Sequence, residues 1–158
     1  MKELPIIARL KAERAELQQE MSQELPRRLE EARAHGDLRE NAEYDAAKNR
    51  QGLVRARLSQ IQERIGELSL YDPARIPRDR ASYGSVVTVE DAESGEEAEY
   101  RIVFPEEVEK GTSSVSITSP IGQALLNKMV GDEVVVRTPS GQRTIEIVAL
   151  ETMHDREG

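Results

Sequence analysis

The turn between two helical patterns is the most informative part of this chain, because residues 36–51 read "GDLRENAEYDAAKNRQ". Gly36 is typical of the end of a helix, and good helix formers return soon after it. Four carboxylates lie within nine positions of this turn: Asp37, Glu40, Glu43 and Asp45. Helix capping needs fewer acidic groups than this, so the turn bears on both the fold and the function.

Apolar residues recur at helical spacing on both sides of this turn. Before it, the apolar positions are Ile7, Leu10, Leu17, Met21, Leu25 and Ala32. After it, they are Val54, Leu58, Ile61, Ile65 and Leu68. Their alternating spacing of four and three is typical of a coiled-coil seam, and a short connection makes consecutive helices antiparallel neighbours. The pattern predicts an antiparallel two-helix coiled-coil hairpin, with helices of about 30 residues and about 45 Å.

Four residues predict where these helices begin and where the first one bends. Pro5 suits a first helical turn, whereas Pro26 falls inside the first helix and predicts a kink or a brief break. Asp37 and Glu40 have the D-x-x-E spacing of a capping box at the start of the second helix. Their negative charges would also suit the positive end of its dipole.

The second half of the chain has the pattern of a small domain built on strands. Residues 71–84, "YDPARIPRDRASYG", predict a linker. The predicted strands are residues 83–90, 97–104, 113–118, 132–138 and 143–150. Residues 119–131, "SPIGQALLNKMVG", predict a short helix with Ser119 as its N-cap. These elements predict an α+β domain with a mainly antiparallel sheet and one short helix.

The charges divide the chain into two parts. Residues 1–75 carry 14 basic and 14 acidic side chains, whereas residues 76–158 carry 8 and 16, so the whole net charge of −8 lies in the second part. We therefore predict two domains, residues 1–74 and 75–158. The acidic second domain suits a protein partner better than nucleic-acid phosphates.

The composition excludes several classes of site. The chain has no cysteine, which excludes disulfides and thiolate metal sites. Its two histidines, His35 and His154, have no ligand spacing around them. No stretch approaches the roughly 20 apolar residues of a membrane span, and no signal-peptide pattern is visible. We expect a soluble, cytoplasmic, monomeric protein without a membrane partner.

Asp37 and Glu40 are close enough in sequence to hold one hard divalent cation between them. Magnesium prefers six oxygen ligands, so two carboxylates supply only part of a coordination shell. The remaining ligands would have to come from another molecule, which a long rod could reach with its tip. Tyr44 lies on part of the same helix face, where it could stack on a base or pack at the turn.

Four basic residues follow the acidic turn with no acidic residue among them: Lys48, Arg50, Arg55 and Arg57. They could form a solvated helix face. They could instead form a patch that contacts nucleic-acid phosphates, in which case the contribution of the patch should weaken with salt.

Residues 31–52, "EARAHGDLRENAEYDAAKNRQG", resemble the tip of the Gre family of bacterial transcript-cleavage factors. Residues 114–141, "SVSITSPIGQALLNKMVGDEVVVRTPSG", also resemble the C-terminal domain of that family. The resemblance covers nearly all of the chain from about residue 25 onward. It departs at residues 4–17, "LPIIARLKAERAEL", which lack the L-T-x-x-G-x-x-x-L opening usual in the family.

This resemblance implies a factor that binds bacterial RNA polymerase through an FKBP-like C-terminal domain. The rod would enter the secondary channel of the polymerase, where Asp37 and Glu40 match the catalytic acids of the family. These acids would help to hold a Mg²⁺ ion shared with the polymerase and would position a water. The polymerase would then hydrolyse the extruded 3′ end of its own backtracked RNA, so the factor itself is not expected to be an enzyme or to bind a cofactor stably.

The resemblance also implies roles for other residues. Asn41, Glu43 and Tyr44 match the rest of the tip motif and would support the shape of the tip or contact RNA or polymerase. The basic patch of Lys48, Arg50, Arg55 and Arg57 would contact the extruded RNA. Pro120 and Ile121 would belong to the surface that grips the rim of the polymerase channel, although a capped core helix is an alternative for that segment.

Three other functions stay open at this point. The first is a Gre-like regulator that occupies the channel and inhibits or modulates polymerase without cleavage, against which the retained Asp37 and Glu40 argue. The second is a prolyl isomerase, whose chemistry needs an aromatic-lined apolar pocket that Tyr83, Tyr100 and Phe104 supply poorly. The third is a structural coiled-coil adaptor in which the acidic turn is only a helix cap.

Overall fold

The structure is a computed structural model of the chain and describes residues 3–36 and 41–157, with the side chain of residue 157 left out. The chain divides into two compact units, Met1–Pro73 and Ala74–Gly158. Every helix among the described residues is too short or too polar to cross a membrane.

The first unit is a helical hairpin. Its first arm consists of α1 (Pro5–Gln19), a π-helical turn (Glu20–Glu24) and α2 (Leu25–Ala34). Its second arm is the single helix α3 (Ala42–Leu68), which packs along both α1 and α2. The arms are antiparallel, because Glu20 pairs with Arg50 whereas the earlier Glu13 pairs with the later Arg57. The predicted coiled-coil hairpin is confirmed.

The seam between the arms is buried at most of the positions that the helical period predicts, with three exceptions. The buried side chains are Ile6, Ile7, Leu10, Leu25 and Ala32 in the first arm and Ala47, Val54, Ile61, Ile65 and Leu68 in α3. Leu17, Met21 and Leu58 are only half-buried. Two of the buried residues nearest the turn are alanines, Ala32 and Ala47, whose small side chains let two helices approach closely.

Pro26 does not break the first arm, which stays helical on both sides of it. A π-helical turn interrupts the α-helix just before Pro26, and in it the N–H of Leu25 donates to the carbonyl of Glu20; the predicted kink stays a prediction. A proline lacks an N–H, and its ring clashes with the carbonyl four residues earlier. A wider helical turn is one way to move that carbonyl aside while the rod continues.

The second unit is built on a five-stranded sheet in the order β3-β2-β1-β5-β4. The strands are β1 (Val86–Asp91), β2 (Glu97–Val103), β3 (Ser114–Ser116), β4 (Glu133–Thr138) and β5 (Gly141–Glu151). All neighbouring pairs are antiparallel except β2 and β3, which run parallel. The predicted α+β fold with a mainly antiparallel sheet is confirmed.

One face of this sheet carries the core of the second unit. Helix α4 (Pro120–Leu125) contacts β3 and β4. The core residues are Ala81, Val87, Val89, Ile102, Leu125, Val134, Val136, Ile145 and Ile147. They alternate along the strands, as expected for a sheet with one face packed and the other exposed.

Helix α4 ends earlier than the sequence predicts. It stops at Leu125 rather than near Gly131, and Asn127 then adopts a left-handed backbone with φ of +66°. The backbone of this exit pairs with the predicted linker, since Asn127 N–H donates to the carbonyl of Ala81 and Ala81 N–H donates to that of Lys128, each at 2.8 Å. These bonds to another segment replace the last helical turn.

A second short helix, α5 (Met153–Glu157), follows β5 and was not predicted. Its start is capped by Asp155, whose carboxylate accepts from the N–H of Thr152 at 2.8 Å. His154 bonds the carbonyl of Ile76, and Arg156 donates to that of Gly84. The predicted linker at residues 71–84 is therefore partly a packed component of the second unit.

Candidate functional site

The two predicted catalytic residues, Asp37 and Glu40, lie outside the described residues. The structure describes the chain up to Gly36 and again from Asn41, so it gives both ends of the acidic segment. The site can therefore be built from the residues that flank this segment.

The first arm ends as predicted, at a glycine. His35 is the C-cap of α2, and its N–H donates to the carbonyl of Ala32 at 3.2 Å. Gly36 follows with φ of +113°, a conformation that glycine adopts without the steric cost that a side chain brings. The chain turns out of α2 at this point.

Asn41 holds the start of α3. It is the N-cap residue, and its side-chain Oδ1 accepts from the N–H of Tyr44 at 3.1 Å. The N-cap of α3 is thus Asn41 rather than Asp37, since α3 begins at Ala42; the predicted bonds of Asp37 and Glu40 lie outside the described residues. The side-chain Nδ2 of Asn41 also donates to the carbonyl of Ala32 on α2, so one side chain joins both arms at the tip.

Tyr44 lies half-buried between cationic groups from both arms. The Arg33 guanidinium is 5.9 Å and the Lys48 ammonium 6.0 Å from the centre of its ring. These distances lie at the outer limit of cation–π attraction. Glu43 is exposed in the first turn of α3, where its negative charge favours the helix dipole.

The predicted basic patch is divided by ion pairs to the first arm. Arg50 donates two hydrogen bonds to the carboxylate of Glu20, at 2.6 and 2.8 Å. Arg57 does the same to Glu13, at 2.8 Å for both bonds. Two-bonded pairs of this geometry are the strongest kind that arginine forms with a carboxylate. Arg50 and Arg57 therefore tie the arms together rather than presenting free cations.

These pairs shift the protonation of both carboxylates. The hydrogen bond from Arg50 lowers the pKa of Glu20 below its ordinary value, and that from Arg57 lowers the pKa of Glu13. In return, the hydrogen bond to Glu20 raises the pKa of Arg50. All four groups are thus charged at neutral pH, and the two pairs remain intact.

The other two basic residues, Lys48 and Arg55, keep their charge available. Both are exposed, and within the described part of the chain neither has an ion-pair partner. The free positive charge of the predicted patch is therefore carried by Lys48 and Arg55, with Arg33 of the first arm near Lys48 through Tyr44.

The described residues contain no group of three or more acidic or histidine side chains that could hold a metal ion. Among the described residues, the carboxylates nearest the tip are Glu43 and Asp45 in the first turn of α3. Carboxylate oxygens suit hard cations such as magnesium, but two carboxylates are too few for the six ligands that magnesium prefers. Asp37 and Glu40, the two residues predicted to share a Mg²⁺ ion, lie outside the described residues.

The predicted polymerase-binding residues lie in the second unit, at the start of α4. Ser119 caps this helix by accepting from the N–H of Gly122 at 3.1 Å. Pro120 is exposed, whereas Ile121 is half-buried against the core. Pro120 is thus available to a partner, and Ile121 is shared between the surface and the core.

Two aromatic residues of the second unit, Tyr83 and Phe104, are buried against each other. The rings of Tyr83 and Phe104 stack with centroids 4.3 Å apart, and both side chains are buried. The Tyr83 hydroxyl donates to the carboxylate of Glu107 at 2.8 Å. Burial raises the pKa of Tyr83 strongly, with a further contribution from Glu107. Because both rings are buried, they are not exposed to a substrate. This burial weighs against their use in an isomerase site.

Sequence reasoning missed Arg33, Glu13 and Glu20. A signal for the two acidic residues was present, because Glu13 and Glu20 are seven residues apart and so are Arg50 and Arg57. In an antiparallel hairpin, two pairs with this spacing face each other across the seam. Arg33 gave no comparable signal.

Two family models match this chain. One is described as "Transcription elongation factor, N-terminal" and matches residues 6–69, and the other as "Transcription elongation factor, GreA/GreB, C-term" and matches residues 76–152. The transcription elongation factor GreA of Syntrophobacter fumaroxidans is 42% identical over 90% of this chain and 91% of that protein. GreA of Desulfotalea psychrophila is 44% identical over 78% of this chain and 77% of that protein. Among solved structures, GreA factor homolog 1 of Thermus thermophilus is 28% identical over 92% of this chain and 94% of its own, with a TM-score of 0.43.

Proposed function

This chain belongs to the GreA/GreB family of transcription elongation factors, and from that membership we propose that it stimulates transcript cleavage by bacterial RNA polymerase. The hairpin enters the secondary channel of a backtracked polymerase in the cytoplasm and brings its tip to the extruded RNA 3′ end. The factor acts as a monomer and an accessory: the polymerase hydrolyses its own RNA, and the factor supplies side chains.

The observation that supports this proposal best is the construction of the hairpin end. An antiparallel pair of helices carries the acidic segment between two fixed residues, Gly36 and Asn41. Ion pairs at Glu20–Arg50 and Glu13–Arg57 hold the arms together behind it. Such a rod is suited to deliver two carboxylates to a place that a globular surface does not reach.

The chemistry requires few ligands from this chain. Hydrolysis of a phosphodiester in a two-metal site uses magnesium to activate a water and to stabilise the leaving oxygen. The carboxylates of Asp37 and Glu40 complete the ligands of an ion that the polymerase holds weakly, and they orient the attacking water. Because two carboxylates are too few for a stable site, the factor alone binds no magnesium tightly.

The exposed cations of α3 contact the RNA in this proposal. Lys48 and Arg55 approach phosphates of the extruded strand, and the contribution of these contacts falls as salt rises. Arg50 and Arg57 contribute through the stiffness of the rod instead, since their charges are used by Glu20 and Glu13. Glu43 and Tyr44 support the tip beside these contacts.

The second unit anchors the factor on the polymerase. The start of α4, with Pro120 exposed and Ile121 half-buried, supplies an apolar contact at the rim of the channel. An acidic unit that carries the whole net charge of the chain is suited to a protein surface rather than to RNA phosphates.

The test is release of short 3′ fragments from a stalled, backtracked polymerase in the presence of magnesium. Addition of the wild-type factor should raise the rate of release, and Asp37→Asn or Glu40→Gln should abolish most of that rise. Glu30→Gln is a matched control, because it makes the same chemical change at an exposed position of α2 and should cleave like wild type.

Two results would contradict the proposal. The first is cleavage at the wild-type rate by both acidic variants, which would show that these carboxylates take no part. The second is tight binding of the wild-type factor to polymerase without any increase in cleavage, which would favour a regulator that only occupies the channel.

A further inference from the structure

Asn41 makes two hydrogen bonds that serve different purposes. Its Oδ1 accepts from the N–H of Tyr44, which satisfies a free amide at the start of α3. Its Nδ2 donates to the carbonyl of Ala32 on the other arm. One bond is internal to the start of α3, and the other joins α3 to α2.

Capping alone does not require an asparagine here. Serine and aspartate cap helices about as well as asparagine does, but neither can replace both bonds. An ionised aspartate has no proton to donate, and a serine hydroxyl is one atom shorter than the asparagine amide. The bond to Ala32 is therefore the feature that asparagine adds at this position.

The bond to Ala32 links the residue that follows the acidic segment to the last turn of α2, which precedes that segment. Ala32 is fully buried, and its carbonyl also accepts from His35 where α2 ends. Asn41 directly follows Glu40 in the chain, and Gly36 directly precedes Asp37. The bond therefore helps to fix the start of α3 relative to the end of α2, and it comes from a side-chain amide that is half-buried at the tip.

We propose that Asn41 is a positioning residue for transcript cleavage, and that it acts through its bond to the Ala32 carbonyl rather than through its cap of α3. This inference rests on the function proposed above. A displacement of about 1 Å in a group that orients reactants can cost about a hundredfold in rate. Loss of the bond should therefore lower cleavage while the hairpin remains folded.

Three substitutions separate the two bonds. Asn41→Ser and Asn41→Asp keep the cap of α3 and lose the donated bond, whereas Asn41→Ala loses both. We expect all three to slow cleavage by about tenfold or more. The Ser and Asp variants lose only the bond to Ala32, so they should melt above the Ala variant, which also loses the cap.

A second readout distinguishes positioning from a general structural role. The Ser variant should need more magnesium than wild type for half-maximal cleavage, because its carboxylates meet the shared ion less well. It should also compete with wild type for polymerase with unchanged affinity. Asn49→Ser is the matched control, since Asn49 is exposed on α3 and should behave like wild type in every measurement.

Asp37→Asn is run alongside to separate the two proposals. If Asp37→Asn is inactive while Asn41→Ser and Asn41→Asp cleave like wild type, the role of the Ala32 bond is overturned and the proposed function stands. The inference is also overturned if cleavage by the Asn41 variants falls only in proportion to polymerase binding or melting temperature. If Asp37→Asn itself cleaves like wild type, the proposed function is contradicted, and the inference about Asn41, which rests on it, is overturned as well.

Discussion

At the scale of single residues, Gly122 shows how a side chain can be excluded by a neighbouring backbone. A Cβ added at Gly122 would overlap the carbonyl oxygen of Ser116. Ser119 also bonds this pair, since its hydroxyl donates to Ser116 O at 2.6 Å and accepts from Gly122 N–H at 3.1 Å. The close approach of α4 to β3 therefore depends on glycine at this position.

Gly122→Ala should destabilise the second unit by about 1–3 kcal/mol, because the backbone of α4 or β3 must move to make room.

Gly66→Ala is the contrasting variant, since Gly66 lies in α3 with open space around it. It should stabilise the hairpin by about 0.5–1 kcal/mol. Denaturant unfolding measures both effects. Equal stability of Gly122→Ala and wild type would show that α4 does not lie as close to β3 as described.

Residues also show the limit of prediction from sequence. The Thr152-x-x-Asp155 spacing, which spans the start of α5, was a capping signal in the sequence that could have revealed this helix. The bond from Asn41 to Ala32 had no such signal. It depends on how closely two helices approach at the tip, which in turn depends on the packing of buried Ala32 and Ala47.

At the scale of elements, the hairpin owes its stiffness to both its seam and its ion pairs. The apolar period predicted the seam, because burial of one helix face follows directly from residue spacing. The π-helical turn before Pro26 could not be predicted in the same way. A proline within a helix can be accommodated by a kink, a break or a widened turn, and tertiary packing selects among them.

The ion pairs make hairpin stability depend on pH in a stated direction. Arginine hydrogen bonds hold the pKa of Glu13 and Glu20 below the ordinary value of 4.5. Because the pKa of each carboxyl is lower in the folded state, each ion pair contributes its full stabilisation of the hairpin above about pH 4.5. This stabilisation is lost as the pH falls through the folded-state pKa. Both pairs are partly exposed, so salt should weaken them.

A double variant, Glu13→Gln with Glu20→Gln, should therefore melt below wild type at pH 7, and this difference should shrink as the pH falls below about 4.5. For the Glu13–Arg57 pair alone we expect about 0.5 kcal/mol at neutral pH, as is usual for a partly exposed pair. Thermal melts at both pH values and two salt concentrations measure this. A difference between variant and wild type that stays constant from pH 7 to pH 3 would contradict the assignment.

At the scale of the whole molecule, the chain separates a helical hairpin with balanced charge from an acidic sheet unit. The alternation of apolar and polar residues predicted the strands and both β-hairpins of the sheet. The change in charge balance along the chain predicted two domains. The packing of residues 71–84 into the second unit did not follow, because its proline-rich composition resembles that of a linker. Ile76 and Tyr83 are nevertheless buried.

The proposed function requires a carboxylate of this chain to ligate an ion held in another macromolecule. Substitution to asparagine removes charge as well as a ligand, so it does not separate coordination from electrostatics. Exchange of the ligand atom does separate them. A thiolate is a soft ligand that suits magnesium poorly and binds ions such as Cd²⁺ well, and the chain has no cysteine of its own.

The most direct measurement is therefore RNA cleavage by Asp37→Cys on a backtracked polymerase, in magnesium alone and with Cd²⁺ added in small amounts. Wild type and Asp37→Ser are measured under the same ions. The account predicts that Asp37→Cys is nearly inactive in magnesium, that Cd²⁺ restores its cleavage relative to wild type, and that Asp37→Ser stays inactive in both. If Cd²⁺ restores cleavage by neither variant, or by both variants equally, direct coordination of the ion by residue 37 is contradicted.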